Sequence, residues 1–196
     1  MRKYFTTLYL LLLSLYCISQ ESTSFSIIGE YSENFRWSNY SGGLALEVPL
    51  DDKIAVNYKI TIGGSSDRAF YIHSPAGAAV GSVILSALGG PNNKFFNALG
   101  AVLYAIPEGM TFYPNPDSKA RVGIYLSPLG VDYWKKRNNY EYFRFSGETG
   151  GKLRYALGDG KVDLMVYGGV RYVYNKKGIV EPLFLHAGIG VCFNRD

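Results

Sequence analysis

The fold is decided by the stretch Leu183-Phe-Leu-His-Ala-Gly-Ile-Gly-Val-Cys-Phe193 near the end of the chain. Its odd-numbered positions are Leu, Leu, Ala, Ile, Val and Phe, whereas its even-numbered positions are Phe, His, Gly, Gly and Cys. Side chains of a β-strand point alternately to opposite faces. One face of this strand is therefore wholly apolar, and the other is mostly small or polar.

The same alternation recurs along the chain. After a short turn at 51–53, the residues Ile54, Val56, Tyr58, Ile60 and Ile62 alternate with Ala55, Asn57, Lys59 and Thr61. In 121–134 the apolar set moves from even to odd positions around Ser127-Pro128, which predicts a β-bulge. The spans that we predict are 24–34, 42–50, 54–63, 108–114, 120–134, 140–157, 161–174 and 182–193. That makes eight strands, and a transmembrane barrel with both ends on one side needs an even number.

Residues 64–107 break the pattern. Two stretches, 75–88 and 94–105, have small residues between larger apolar ones and proline or glycine at their ends. They predict two short helices, apolar nearly all round, inserted between the third and fourth strands at about 75–105. The extended residues 68–74 are expected in the connection that leads into them. The pair could cap the barrel mouth, lie in the outer leaflet or dock a partner.

The polar faces of the strands indicate whether the polar or the apolar side chains point into the barrel. They combine Gly, Ala and Ser with isolated charges of both signs, at Glu30, Glu47, Lys59, Arg144, Glu148, Lys152, Arg154, Asp163 and Arg171. Such residues fill the narrow interior of an eight-stranded barrel. The apolar faces then meet lipid, with Trp134 and Tyr174 in aromatic girdles. We predict an all-β, eight-stranded antiparallel up-and-down transmembrane β-barrel. A lipocalin-like soluble carrier with the apolar face inward is the alternative.

The first residues predict export. Arg2 and Lys3 precede an apolar run over 8–16, too short to span a bilayer as a helix, with small residues at Cys17 and Ser19. We expect a signal peptide at 1–19, cleaved before Gln20, and a barrel domain at 20–196; lipidation of Cys17 is the alternative. Without the leader, the 20 basic residues fall to 18 against 16 acidic ones. That balance argues against nucleic-acid binding.

The pattern of strands, the leader and the terminal Phe193 resemble the small outer-membrane β-barrel proteins of Bacteroidota-type bacteria. So does the segment Ile106-Pro-Glu-Gly-Met-Thr-Phe112, together with Leu126-Ser-Pro-Leu-Gly-Val-Asp-Tyr133. The resemblance implies a place in the outer membrane, contact with its lipid and insertion by the barrel-assembly machinery. It implies no activity, because the group has none in common.

Few residues suggest chemistry. His186 falls on the interior face, where a structural histidine is the simplest interpretation, and His73-Ser74 is expected outside the barrel wall. A lipid-modifying acyl hydrolase centred on His73 and Ser74, or on His186, is the enzymatic alternative. We predict no catalytic, cofactor-binding or metal-binding residue and no cofactor. The expected role is structural, or interaction with a protein partner at the outer loops or helix pair, with a closed, salt-bridged interior and no open pore.

Overall fold

The computed structural model describes residues 23–35, 37–66, 69–90, 93–135, 141–174 and 182–194. The predicted signal peptide at 1–19 lies outside the described residues. The strands are β1 (Ser24–Glu33), β2 (Ser38–Pro49), β3 (Ile54–Ser65), β4 (Phe70–Pro75), β5 (Gly109–Phe112), β6 (Ala120–Lys135), β7 (Glu141–Leu157), β8 (Val162–Val173) and β9 (Leu183–Asn194). Two helices, α1 (Ala76–Ala87) and α2 (Lys94–Tyr104), lie between β4 and β5.

The sheet closes on itself. Each strand pairs antiparallel with its neighbours, and β1 pairs with both β2 and β9. Both β4 and β5 pair with β3 on one side and β6 on the other, so together they occupy one position in the wall. The wall therefore has eight strand positions, which confirms the predicted barrel. We call the end that holds Ser24 and Asn194 the terminal end and the opposite end the distal end.

The fourth wall strand is split in two. β4 pairs with residues 61–64 of β3 and β5 with residues 54–57, so the two segments lie end to end. The helices interrupt this strand at mid-height. The prediction that 68–74 belong to a connection was therefore wrong for the residues of β4, which form the distal half of the strand. The split was not recognisable from the sequence, because β4 has only 6 residues and β5 only 4. A strand that crosses a membrane has roughly 9–11 residues.

Burial alternates along the strands as the sequence predicted. Large apolar side chains point outward and are exposed, whereas most charged side chains of the strands point inward and are buried. This arrangement contradicts the inside-out, carrier-like alternative. The predicted bulge is present, because the register of β6 against β7 shifts between Ser127 and Gly130.

The bulge also corrects one prediction. Trp134 is not in an outer girdle; it is buried in the barrel, where it packs with Tyr71, Phe184 and Val173 near the distal end. Its indole Nε1 donates a hydrogen bond of 3.2 Å to Asn39 Oδ1. Beyond the bulge the even positions of β6 face inward, so Trp134 belongs with Asp132 and Gly130 rather than with the lipid-facing set.

The two helices form a hairpin held together by glycines. A Cβ atom added to Gly77 would lie 2.2 Å from the carbonyl oxygen of Leu103, and one added to Gly100 would lie 2.5 Å from Leu85 Cγ. Small residues at such positions let two helices approach closely. Outside the hairpin itself, α1 packs mainly on β4 and β6. No helix among the described residues is long and apolar enough to cross a membrane.

Candidate functional site: a buried ion network across the barrel

Four charged side chains meet at the middle of the barrel. Glu30 comes from β1, Lys59 from β3, Glu148 from β7 and Arg171 from β8, and each occupies an inward position of its strand. Because inward positions recur every second residue, each strand contributes the charge at a height that its register fixes. We call these four residues the ion ring.

Each cation of the ion ring contacts both anions. Lys59 Nζ lies 2.9 Å from Glu30 Oε2 and 2.6 Å from Glu148 Oε2. The guanidinium of Arg171 binds Glu30 through Nη2 and Glu148 through Nε and Nη2. β3 and β8 stand on opposite sides of the wall, so the ring joins strands across the lumen. Alternating charges at these distances compensate one another where water is scarce.

A buried histidine extends the ring toward the split strand. His73 Nδ1 lies 2.9 Å from Asp132 Oδ1, and His73 Nε2 lies 3.0 Å from Glu108 Oε1. An ionised carboxylate only accepts hydrogen bonds, so His73 donates to both partners in its doubly protonated form. Tyr71 donates 2.8 Å to Asp132 Oδ1 and also receives a bond from Arg171. This links the histidine cluster to the ion ring.

The position of His73 contradicts the sequence-based prediction. We expected it outside the wall, beside Ser74, but His73 is an inward residue of β4 and is fully buried. Ser74 is the next residue of the strand and therefore points to the opposite, outer face. Both ring nitrogens of His73 face carboxylates, so the adjacent pair does not form a base and a nucleophile.

His186 lies in the interior, as predicted. Its Nε2 is 2.8 Å from the hydroxyl oxygen of Tyr125, and its Nδ1 is 3.8 Å from Glu30 Oε2. The rings of Tyr125 and Tyr167 pack edge-on against it. Tyr167 in turn donates a bond of 3.0 Å to Glu30 Oε2. These contacts place His186 directly against the ion ring.

A second network lies nearer the terminal end. Arg154 Nη1 is 2.6 Å from Glu47 Oε2, and Arg154 Nη2 is 2.7 Å from Asp163 Oδ2. Lys152 also binds Glu47, and Arg121 binds Asp163. We call these five residues the terminal network. It ties β2, β6, β7 and β8 together below the ion ring.

A small cavity separates the two networks. Its volume is about 40 Å³, and its lining includes Lys59 and Glu148 from the ion ring and Glu47 and Lys152 from the terminal network. A volume of this size holds about two or three water molecules where polar partners are available. The cavity is far smaller than the roughly 300–1,000 Å³ of a small-molecule site.

Two groups of side chains have spacing that a metal ion could use. In Glu30, Glu148 and His186, and again in His73, Glu108 and Glu148, the candidate ligand atoms lie within 4.8 Å of one another. However, Lys59 or Arg171 already contacts every carboxylate oxygen of Glu30 and Glu148. Two cations at these distances repel a third, so the geometry favours an ion-pair network over a metal centre.

The sequence identified most of this interior but missed part of it. Glu30, Glu47, Lys59, Glu148, Arg154, Asp163 and Arg171 were predicted to face inward, and all of them are buried. Lys152 is half-buried and pairs with Glu47; Arg144 is half-buried and donates a bond of 2.7 Å to the carbonyl of Phe143. His73, Glu108 and Asp132 were missed. The even-position pattern after the bulge could have placed Asp132, but no signal in the sequence joins residues 73 and 108.

Comparisons with known proteins support the fold. No protein-family model matches the sequence, and no curated protein matches it. The solved structure of Neisserial surface protein A matches with a TM-score of 0.51 at 10% identity, over 88% of this chain and 95% of that one. The N-terminal β-barrel domain of Pseudomonas aeruginosa OprF matches with a TM-score of 0.50 at 11% identity, over 90% and 98%. This chain therefore shares the fold of small outer-membrane eight-stranded barrels.

Proposed function

We propose that this protein resides in the outer membrane as a non-enzymatic β-barrel whose interior is closed to ions and whose outer loops or helical hairpin interact with lipid or a protein partner. The observation that carries the proposal is the ion ring. Four strands contribute charges that bind one another across the lumen. A pore needs an open, hydrated path, and this position is occupied by paired side chains.

The outer surface supports a place in lipid. Outward side chains at mid-height are large, apolar and exposed, including Ile27, Ile124, Val166 and Ile189. An exposed apolar belt around the whole barrel is unfavourable in water and suits hydrocarbon. Export through a signal peptide cleaved after residue 19 is proposed from the pattern of residues 1–19. Insertion by the barrel-assembly machinery is proposed from the resemblance to outer-membrane barrels.

The interior geometry favours a structural role over hydrolysis. The two histidines are engaged by carboxylates and by Tyr125 inside the barrel. Ser74, the nucleophile considered beside His73, points to the other face of the wall. An acyl hydrolase needs a base within hydrogen-bond reach of its nucleophile, and this pair does not provide one.

The proposal is tested by fractionating expressing cells and measuring the protein in detergent and in a planar bilayer. We expect recovery in the outer membrane, faster gel mobility before boiling than after, and no stepwise ion conductance in a phosphatidylcholine bilayer. Discrete conductance steps would contradict the closed interior. A water-soluble protein whose mobility does not change on boiling would contradict the membrane location.

A charge on the lipid-facing surface tests the same proposal in a second way. Ile189 lies at the middle of β9, opposite Gly29 of β1 and Val166 of β8, and the residue is 67% exposed. We expect Ile189→Arg to lower the free energy of unfolding from phosphatidylcholine vesicles by about 2–4 kcal/mol, because arginine at the mid-plane meets hydrocarbon. Urea titration measures this.

The matched control is Phe35→Arg, in the exposed connection between β1 and β2. It introduces the same charge at the distal end, where the side chain meets water or headgroups, and we expect a change within about 0.5 kcal/mol. Equal losses in the two variants would show that Ile189 does not face hydrocarbon.

A further inference from the structure

We propose that the α1–α2 hairpin is inserted into the hydrocarbon of the distal leaflet, alongside the barrel, with its tip at the headgroups. The tip comprises Gly89, Gly90, Asn93 and Lys94. This inference rests on the proposed function, since it requires the barrel to stand in a bilayer. The occupant of the exposed helix surface is then lipid acyl chains rather than a protein.

The hairpin begins and ends at mid-height of the wall. Pro75, just before α1, pairs with Gly130 at the middle of β6. After α2, the backbone N–H of Glu108 donates 2.9 Å to the carbonyl of Asn57 on β3. The hydroxyl of Tyr58, an outward residue of β3, donates 2.8 Å to the carbonyl of Ala105. The base of the hairpin is therefore fixed at the depth of the bilayer centre.

The composition of the hairpin suits hydrocarbon on every side. Residues 76–107 contain a single charged residue, Lys94. Val83, Phe95 and Val102 are exposed although they are apolar, and the helices contact little of the protein besides each other, β4 and β6. A surface helix in water carries many polar residues on its outer face, whereas the exposed polar residues of these two helices are Ser82, Ser86 and Lys94.

Four polar side chains among the described residues of the hairpin are hydrogen-bonded within it. Ser82 Oγ donates 2.8 Å to the carbonyl of Ala78, and Ser86 Oγ donates 3.0 Å to that of Val83. Asn93 Nδ2 and Asn97 Nδ2 donate to the carbonyls of Leu88 and Gly90 at 3.0 Å and 2.9 Å. In hydrocarbon, an unsatisfied polar group costs several kcal/mol, and these internal bonds remove that cost.

The pattern of burial on β6 shows which half of the wall the hairpin covers. Val131 points outward in the distal half, yet it is only 2% exposed, whereas Leu126 on the same face toward the terminal end is 55% exposed. Met110 and Phe112 of β5 are also exposed. Since α1 packs on β4 and β6 and β4 forms the distal half of the split strand, the hairpin contacts the wall in its distal half, which faces the distal leaflet.

The length of the helices fits this placement. α1 has 12 residues and α2 has 11, which gives about 16–18 Å at 1.5 Å per residue. Half of the hydrocarbon core is about 15 Å thick. A hairpin that starts at the bilayer centre therefore reaches the headgroups, where the ammonium of Lys94 meets water.

The experiment uses spin labels on single cysteines in the full chain, with Cys17→Ser and Cys192→Ala removing the native thiols. Labels are placed at Val102→Cys, near the base of α2, and at Phe95→Cys, near its tip. Ile189→Cys reports the lipid-facing wall and Phe35→Cys reports the distal connection. In phosphatidylcholine vesicles, power saturation measures how far oxygen and a water-soluble nickel chelate reach each label.

We expect the label at 102 to be reached by oxygen and shielded from nickel, like the label at 189, and the label at 95, next to the tip, to be reached by nickel more readily than that at 102. We also expect the label at 102 to lie about 10 Å deeper than that at 95, because seven residues separate them along the helix. Nickel access at 102 equal to that at 35 would overturn the inference, since the hairpin would lie in water. Shielding of 102 from both reagents would also overturn it, since protein would cover the hairpin, and cross-linking would then identify a second copy.

The label at Ile189 separates this inference from the proposed function. Nickel access at 189 would show that the wall itself is not in lipid, so the proposed location would fail. Shielding at 189 together with access at 102 would leave the membrane barrel intact and overturn the placement of the hairpin alone.

Discussion

Replacing Arg171 by methionine is expected to lower the free energy of unfolding by about 3–5 kcal/mol, the cost of removing one partner from a buried ion pair. Arg171 is almost wholly buried and binds Glu30, Glu148 and Tyr71. Methionine fills similar volume, so the loss measures the charge rather than a cavity. It leaves two buried carboxylates with Lys59 as their only remaining ion-ring cation.

Urea titration in phosphatidylcholine vesicles, followed by tryptophan fluorescence, measures this change, because Trp134 is buried against Tyr71, which binds Arg171. The matched control is Arg144→Met. Arg144 is half-buried and donates to the carbonyl of Phe143, so we expect a loss of at most about 1 kcal/mol. Losses of similar size in the two variants would show that the ion ring does not hold the barrel together.

Combining Arg171→Met with Glu30→Gln distinguishes the coupling between these two charges from the separate cost of losing each side chain. The double variant removes a cation together with one of its anions, so fewer charges remain uncompensated. We expect its loss to be smaller than the sum of the two single losses by at least about 1 kcal/mol, as is usual for residues in one network. An additive result would mean that the two side chains act independently, which the contact between Arg171 Nη2 and Glu30 Oε1 argues against.

The barrel could be predicted from the sequence because the two-residue alternation of polar and apolar side chains is visible within each strand alone. The alternation within each strand identifies its inward and outward faces. We could therefore assign four charged residues to the interior without knowing their partners: Glu30, Lys59, Glu148 and Arg171. Which charges meet was not predictable, because pairing depends on the register between strands. Lys59 and Glu148 are 89 positions apart in the chain, and only the closed wall brings them together.

The split strand could not be recognised for a different reason. β4 is too short to be counted as a span, whereas 108–114, which contains β5, was taken for the whole fourth strand. In the sequence, 33 residues lie between Pro75 and Gly109. Parity gave the correct number of strands, but it assigned the fourth position to 108–114 only. As a result His73 was placed outside the wall, although alternation within β4 puts Tyr71 and His73 on one face.

The second large loss of stability is expected when Arg154 of the terminal network is replaced. Arg154→Met is expected to lower the free energy of unfolding by about 3–5 kcal/mol, because Arg154 binds Glu47 and Asp163 and also donates to Ser24 Oγ at 2.9 Å and Asn194 Oδ1 at 2.6 Å. These partners lie on β1, β2, β8 and β9. A single guanidinium therefore ties the first strand to the last at the end where the barrel closes.

Arg121→Met is the matched control for this variant, measured by the same urea titration. Arg121 binds the same carboxylate of Asp163, but 27% of its side chain is exposed, against 4% for Arg154. Water can replace much of what Arg121 provides, so we expect a loss of at most about 1 kcal/mol. If the two variants lost equal stability, the pairing with Asp163 alone would account for the effect. A larger loss for Arg154 shows instead that its buried contacts beyond Asp163, with Glu47, Ser24 and Asn194, stabilise the barrel.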